Sequence, residues 1–311
     1  MTENNFLTGT NSMGELFPHL ANPDGKYKDR LFRMIFREKK DLLNLYNAVN
    51  GTDYTNSDEL EVTTLENAIY MNMKNDTSFV FDMCLNLYEH QSTYNPNMPL
   101  RNLFYIARIL ERMTVRKTLY GTSFVQIPTP KFVVFYNGTS DQPERQTLKL
   151  SDAFQKETAE PELELKVLML NINLGMNRQI VEKCRTLQEY VLYVTKIREY
   201  ARVMDIVSAV ERAVHECISE GILADFLLNY RAEAIQMSIF EYDAEKELRL
   251  MQEAAIEDGL AQGIEQGIEA FILDNIEEGI PQERILAKLQ RRFPLHKEQA
   301  EKYYLKYAGN K

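Results

Sequence analysis

Phe79-Val80-Phe81-Asp82-Met83-Cys84-Leu85-Asn86-Leu87-Tyr88-Glu89-His90-Gln91 is the stretch that decides how this chain is read. Most of its residues suit a pleated, half-buried surface, and two acids interrupt them. A carboxylate inside an apolar strand costs free energy unless it is paired, hydrogen-bonded or bound to a cation. Strand side chains alternate between faces. In one unbroken strand Asp82 and Glu89, seven positions apart, would point to opposite sides. A hairpin, tight bend or bulge between Met83 and Asn86 is therefore required if the two are to converge. Gln91 then shares the face of Glu89, and His90 points away and is structural.

Carboxylates aimed at one point, with a third polar side chain beside them, form the oxygen-rich donor set that a hard divalent cation needs. Such an ion activates water and stabilises charge on a phosphate, which suits phosphodiester hydrolysis. Asp82, Glu89 and Gln91 have this arrangement if the chain reverses between the two acids. Exposed acids in strands are also common, so the apolar runs around these two acids carry the argument.

Outward from this stretch, the chain reads as a mixed α/β protein. An N-terminal arm over 1–26, which we expect to be flexible, ends in the turn signal Asn22-Pro23-Asp24-Gly25. Tyr27 to Val49 reads as one amphipathic helix stopped by Asn50-Gly51. Leu60–Thr64, Ala68–Met73, Ser78–Phe81 and Leu85–Tyr88 are β-prone, and we expect three strands in an antiparallel meander. After a polar loop comes a helix of about twenty residues from Leu100, with Leu103, Phe104, Ala107, Leu110 and Met113 as its buried stripe. Lys131 to Tyr136 is a nearly continuous apolar run closed by Asn137-Gly138, as expected of a strand buried on both faces. Leu163 to Leu170 adds another. The order is helix, three strands, helix, strand, strand.

From about Asn177 the texture becomes helical. Gly259, Gly263 and Gly267 fall on one helix face, and each costs about 1 kcal/mol against alanine. We expect close helix-to-helix approach there, as in a homo-oligomer, or else a weak helix on an acidic surface. Gly279 to Tyr304 reads as a helical pair broken at Phe293-Pro294.

The chain has 311 residues and a net charge of −10, which as a whole makes a poor nucleic-acid binder. Residues 101–150 depart from this, with eight basic groups against three acids. Arg101, Arg108 and Arg112 lie on the helix that follows Gln91 and are the expected DNA contacts; a solvated charged face is the plainer alternative. No apolar run approaches the ~18 residues of a membrane span. Met1 to Met13 lacks a basic-then-apolar signal pattern. Cys84, Cys184 and Cys217 are too few and too scattered for a disulfide framework or a zinc site. These features lead us to expect a cytoplasmic protein without membrane partners.

The run Leu87-Tyr88-Glu89-His90-Gln91-Ser92-Thr93, continued by Asn97-Met98-Pro99-Leu100-Arg101, resembles the recombination-promoting nuclease / transposase family of the PD-(D/E)XK nuclease superfamily. Lys28 to Arg33 is similar to the family's first helix and Phe132 to Gly138 to a later core strand. The resemblance implies a restriction-endonuclease-like αβββαβ core over 27–176, followed by a helical region over 177–311 for oligomerisation or DNA contact. It implies Mg²⁺- or Mn²⁺-dependent DNA cleavage in recombination, with Asp82 and Glu89 as metal ligands, Gln91 beside them and Asp29 contributing from the first helix; Glu66 and Asp76 are the fallback ligands if the strand register differs. Gln91 stands where the superfamily has lysine, and an amide can hydrogen-bond but brings no charge. The alternative is a nuclease-fold protein with little catalysis that binds DNA or protein through its helical half.

Overall fold

The computed structural model describes residues 30–63, 77–114 and 119–308. Six strands form one mixed sheet: β1 (Glu61–Val62), β2 (Thr77–Phe81), β3 (Cys84–Gln91), β4 (Thr129–Tyr136), β5 (Arg145–Lys149) and β6 (Lys166–Asn171). Their order across the sheet is β1-β2-β3-β4-β6-β5. The β1/β2, β2/β3 and β5/β6 pairs are antiparallel, and β3, β4 and β6 run parallel. The expected antiparallel meander is present, but its first strand is the two-residue β1. Ala68–Met73 lies outside the described residues. β5 was not anticipated, because Arg145-Gln146-Thr147-Leu148-Lys149 is polar and only Leu148 is buried. That composition belongs to an edge strand.

The expected first helix is two, α1 (Arg30–Ile35) and α2 (Lys39–Asn50). The break falls at Phe36, which is buried and ends the first turn by donating its N–H to the Phe32 carbonyl. Gly51 closes α2 in the left-handed region (φ 69°), donating to the Asn47 carbonyl. That is the stop the Asn-Gly pair signalled.

Helix α3 (Met98–Thr114) crosses from β3 to β4. Its buried face is Met98, Asn102, Tyr105, Ile106 and Ile109, while Phe104 and Ala107 are exposed. The expected stripe is thus corrected by a rotation of the helix. Leu103, Leu110 and Met113 form the margin of the buried face, not its centre. Two apolar stripes overlap on this helix, and the one carrying an aromatic and two β-branched side chains takes the sheet.

Each face of the sheet has its own core. Leu85, Leu87, Val134, Tyr136, Val167 and Met169 pack under α3. Phe79, Tyr88, Val133, Phe135 and Leu170 face α1 and α2, and also α4 (Arg178–Lys183), α5 (Arg185–Tyr200), α6 (Ile206–Glu220), α7 (Ala224–Asn229) and the start of α8 (Arg231–Glu277). β4 is therefore covered on both faces, as its unbroken apolar sequence implies.

The helices after residue 177 do not begin a new domain. Tyr190, Val210, Leu227 and Met237 share one core with Phe79 and Phe135. The chain divides into compact units between Glu245 and Lys246 instead. The change to helical texture at 177 marks a change of secondary structure on an unchanged core. The second unit contains the rest of α8 with α9 (Gln282–Arg292) and α10 (Lys297–Ala308), around Ile268, Ile272, Ile285, Leu289 and Ala300. Within this chain, no described atom outside the helix comes within 4 Å of a Cβ placed at Gly259 or Gly263, and at Gly267 only Phe293 does, at 3.8 Å.

No helix among the described residues is long and apolar enough to cross a membrane. The three cysteines are free; burial pushes the Cys184 and Cys217 thiols up to about 11.

The chain packs closely against its neighbours just past β4. A Cβ at Gly138 would collide with the backbone carbonyl of Ser92 and the Tyr136 side chain. Because backbone blocks the space, Gly138→Ala should lower unfolding free energy by about 3 kcal/mol in urea denaturation. A loss under about 0.5 kcal/mol would contradict this packing.

Candidate functional site

Facing residues fix the β2/β3 hairpin: Phe81 pairs with Cys84, leaving Asp82-Met83 as a two-residue turn. Both have positive φ, 48° and 55°. Such a turn matches the twist of the flanking strands and is usually built from Asn or Asp with Gly. Asp82 suits it, because a short polar side chain tolerates the left-handed region. Met83 does not, and its side chain is exposed. Its carbonyl accepts from the Thr129 N–H at 2.9 Å, docking the start of β4.

The chain reversal that the metal reading required is thus present, but it consumes Asp82. The Asp82 carboxylate accepts from the Tyr54 hydroxyl at 3.0 Å. That hydrogen bond, with the adjacent negative charge, pushes the Tyr54 phenol up. β3 carries Glu89 five residues beyond Cys84, about 17 Å at ~3.4 Å per residue. Two ligands of one ion each approach it to about 2 Å. The expected sharing of one ion by Asp82 and Glu89 is therefore corrected: Asp82 lies in the turn before β3 and Glu89 near the far end of that strand.

Glu89 and Gln91 do share a face, the one under α3, as alternation requires. Glu89 is 1% exposed and Gln91 7%. Arg101, in the first turns of α3, reaches back to Glu89, with Nη2 to Oε2 at 3.6 Å. The same Nη2 donates to the Tyr105 hydroxyl at 3.0 Å. Its guanidinium also lies 5.8 Å from the Tyr105 ring centre. Arg101 was expected among the DNA contacts with Arg108 and Arg112; on the helix the three share, Arg108 and Arg112 are exposed and Arg101 is half-buried. Arg116 and Lys117 lie outside the described residues.

Gln91 and Asn102 meet at Met98. Gln91 Nε2 donates to Met98 Sδ at 2.6 Å, and Asn102 Nδ2 to the Met98 carbonyl at 3.1 Å. Gln91 Oε1 and Asn102 Oδ1 are buried without a hydrogen-bond partner among the described residues. An acceptor buried in this state costs about 1–3 kcal/mol. Asn102 was missed because a lone asparagine inside a helix carries no motif.

His90 faces the other way, as alternation predicts. Its Nε2 is 2.9 Å from the Tyr190 hydroxyl, and its ring stacks on Phe32 with centroids 5.0 Å apart. Asn137 Nδ2 donates to the same hydroxyl at 3.0 Å. Glu241 Oε1 lies 3.9 Å from Nδ1. Asn137 and Asn171 follow or end β4 and β6, and Asn173 Nδ2 donates to the Gly138 carbonyl at 2.9 Å. These asparagines tie off the carboxyl ends of the parallel strands.

Among the described residues no three acids, histidines or cysteines gather to hold a metal. Asp29, Glu66 and Asp76 lie outside the described residues. No family model matches the chain, and no curated protein or solved structure matches it either.

The turn geometry yields a direct test. Met83→Gly should stabilise the protein by about 1 kcal/mol in denaturant melts, by removing a side chain from a left-handed backbone position. Destabilisation would mean that Met83 does not hold that conformation.

Proposed function

We propose that this chain is a metal-dependent DNA endonuclease with a restriction-endonuclease-like αβββαβ core, acting on phosphodiester bonds. The observation that carries the reading is Glu89, a carboxylate buried at the carboxyl end of β3, beside the unpartnered amide oxygen of Gln91. The element order supports it: α2, three antiparallel strands, α3, then β4 and β6 parallel to β3. Glu89 and Gln91 would hold Mg²⁺ or Mn²⁺, which supplies an activated water and neutralises charge on the phosphate. Arg108 and Arg112, exposed on α3, would track the DNA backbone.

Asp82, bonded to Tyr54 at the hairpin turn, is left out of the chemistry.

The alternative, a nuclease-fold binding module with little catalysis, is favoured by one feature: Arg101 already occupies the Glu89 carboxylate. Nicking of supercoiled plasmid with Mg²⁺ or Mn²⁺ separates the two. The wild type should nick. Glu89→Gln should lose about 10³-fold or more, in the range expected when a main charge-stabilising group is removed. Asp82→Ala should retain the wild-type rate. Metal-independent nicking, or nicking that survives Glu89→Gln, contradicts the assignment.

A further inference from the structure

The solvent side of α3 carries chemistry that Glu89 does not use. Phe104, Arg108 and Arg112 follow one another at a spacing of four, so they lie on one helix face. All three are exposed, Phe104 at 43%. Glu111, also exposed, is the acid beside them. Past the helix, Tyr120 and Phe124 are almost completely exposed, at 101% and 96%. Their loop leads into β4, where the Thr129 N–H docks on the Met83 carbonyl. The chain as a whole has a net charge of −10, so a local basic stripe is what lets a polyanion approach it. Cations alternating with open aromatic rings match a polymer that repeats a phosphate and a flat base. Duplex DNA keeps its base faces inside the stack, whereas an unpaired base offers a π-face to any ring. α3 is 17 residues long, about 25 Å at ~1.5 Å per residue, and it starts at Met98, in contact with Gln91. The stripe therefore leads from the end of β3 that carries Glu89 toward the aromatic loop that follows the helix.

We propose that this surface is a track for single-stranded DNA. Arg108 and Arg112 hold backbone phosphates, and Phe104, Tyr120 and Phe124 stack on unpaired bases. The inference rests on the nuclease reading and names its substrate class, DNA with unpaired bases. Binding along the track is tolerant of sequence, because every base has a π-face, and sensitive to salt, because each held phosphate releases counterions.

The experiment uses the full chain in EDTA, with a labelled oligothymidylate and a labelled duplex of equal length as probes, read by fluorescence anisotropy. The wild type should bind the single strand about tenfold more tightly than the duplex. Tyr120→Ala and Phe124→Ala should each weaken single-strand binding about tenfold, one stacked base apiece, and leave duplex binding within about twofold. Both side chains are exposed, so these variants should melt like the wild type. Tyr120→Phe should bind like wild type and Tyr120→Leu like Tyr120→Ala, which separates stacking from plain apolar contact. Arg112→Gln should lower the slope of log K against log salt by about 0.7, the mark of one phosphate on a single strand. Single-strand binding within about twofold of wild type in both alanine variants, or a wild type that prefers the duplex, overturns the track. The metal-free readout keeps the two readings apart. Ring-dependent binding by a protein that never nicks with Mg²⁺ or Mn²⁺ supports the track and overturns the nuclease reading. Metal-dependent nicking by a protein whose Tyr120 and Phe124 variants bind the single strand normally does the reverse.

Discussion

The ion pair between Glu89 and Arg101 is the interaction on which the site depends. An ionised carboxylate taken out of water costs several kcal/mol unless a partner compensates. β3 offers Glu89 no water, since α3 and the sheet cover it. Compensation comes from a helix whose position is fixed by other means. Tyr105, Ile106 and Ile109 seat α3 on Leu85, Leu87 and Val134. That seating leaves Arg101, one turn earlier, reaching back over the end of β3. The apolar core thus sets the geometry and the charges follow it.

The two faces of β3 divide the work. Leu85, Leu87, Glu89 and Gln91 look toward α3, where the chemistry is proposed. Tyr88 and His90 look toward the helices on the other side. There the contacts of His90 with Tyr190 and Phe32 join β3 to α5 and α1. Since Asn137 bonds the same hydroxyl, the ends of β3 and β4 are fastened to one helix side chain. Gly138 lets the chain turn against Ser92 at the same place. The carboxyl ends of the parallel strands are consequently a rigid edge, which is what a site holding an ion and a phosphate needs.

Much of this was legible in the sequence. The uninterrupted apolar run Lys131–Tyr136 announced a strand covered on both faces, and alternation assigned Gln91 to the face of Glu89 and His90 to the other. Asp82 was misread for a physical reason. A two-residue hairpin turn and a strand-borne ligand both favour aspartate, and the sequence alone does not say which need it meets. The turn's commoner signature is a glycine, and Met83 stands in its place. The α3 stripe was misjudged because two apolar faces overlap by one residue position. The boundary at 177 was misplaced because secondary structure changes there while the core continues. Arg101 was recognised as a basic residue near the site, but its partner could not be named until α3 was seated on the sheet.

The central claim is that Glu89, and not the hairpin acid Asp82, is the carboxylate that meets a divalent cation. Anomalous diffraction from crystals soaked in Mn²⁺ tests it most directly. The account predicts one peak at coordination distance, about 2 Å, from a Glu89 carboxylate oxygen, with Gln91 Oε1 turned toward it. A peak at the Asp82-Met83 turn, with none at Glu89, would contradict it.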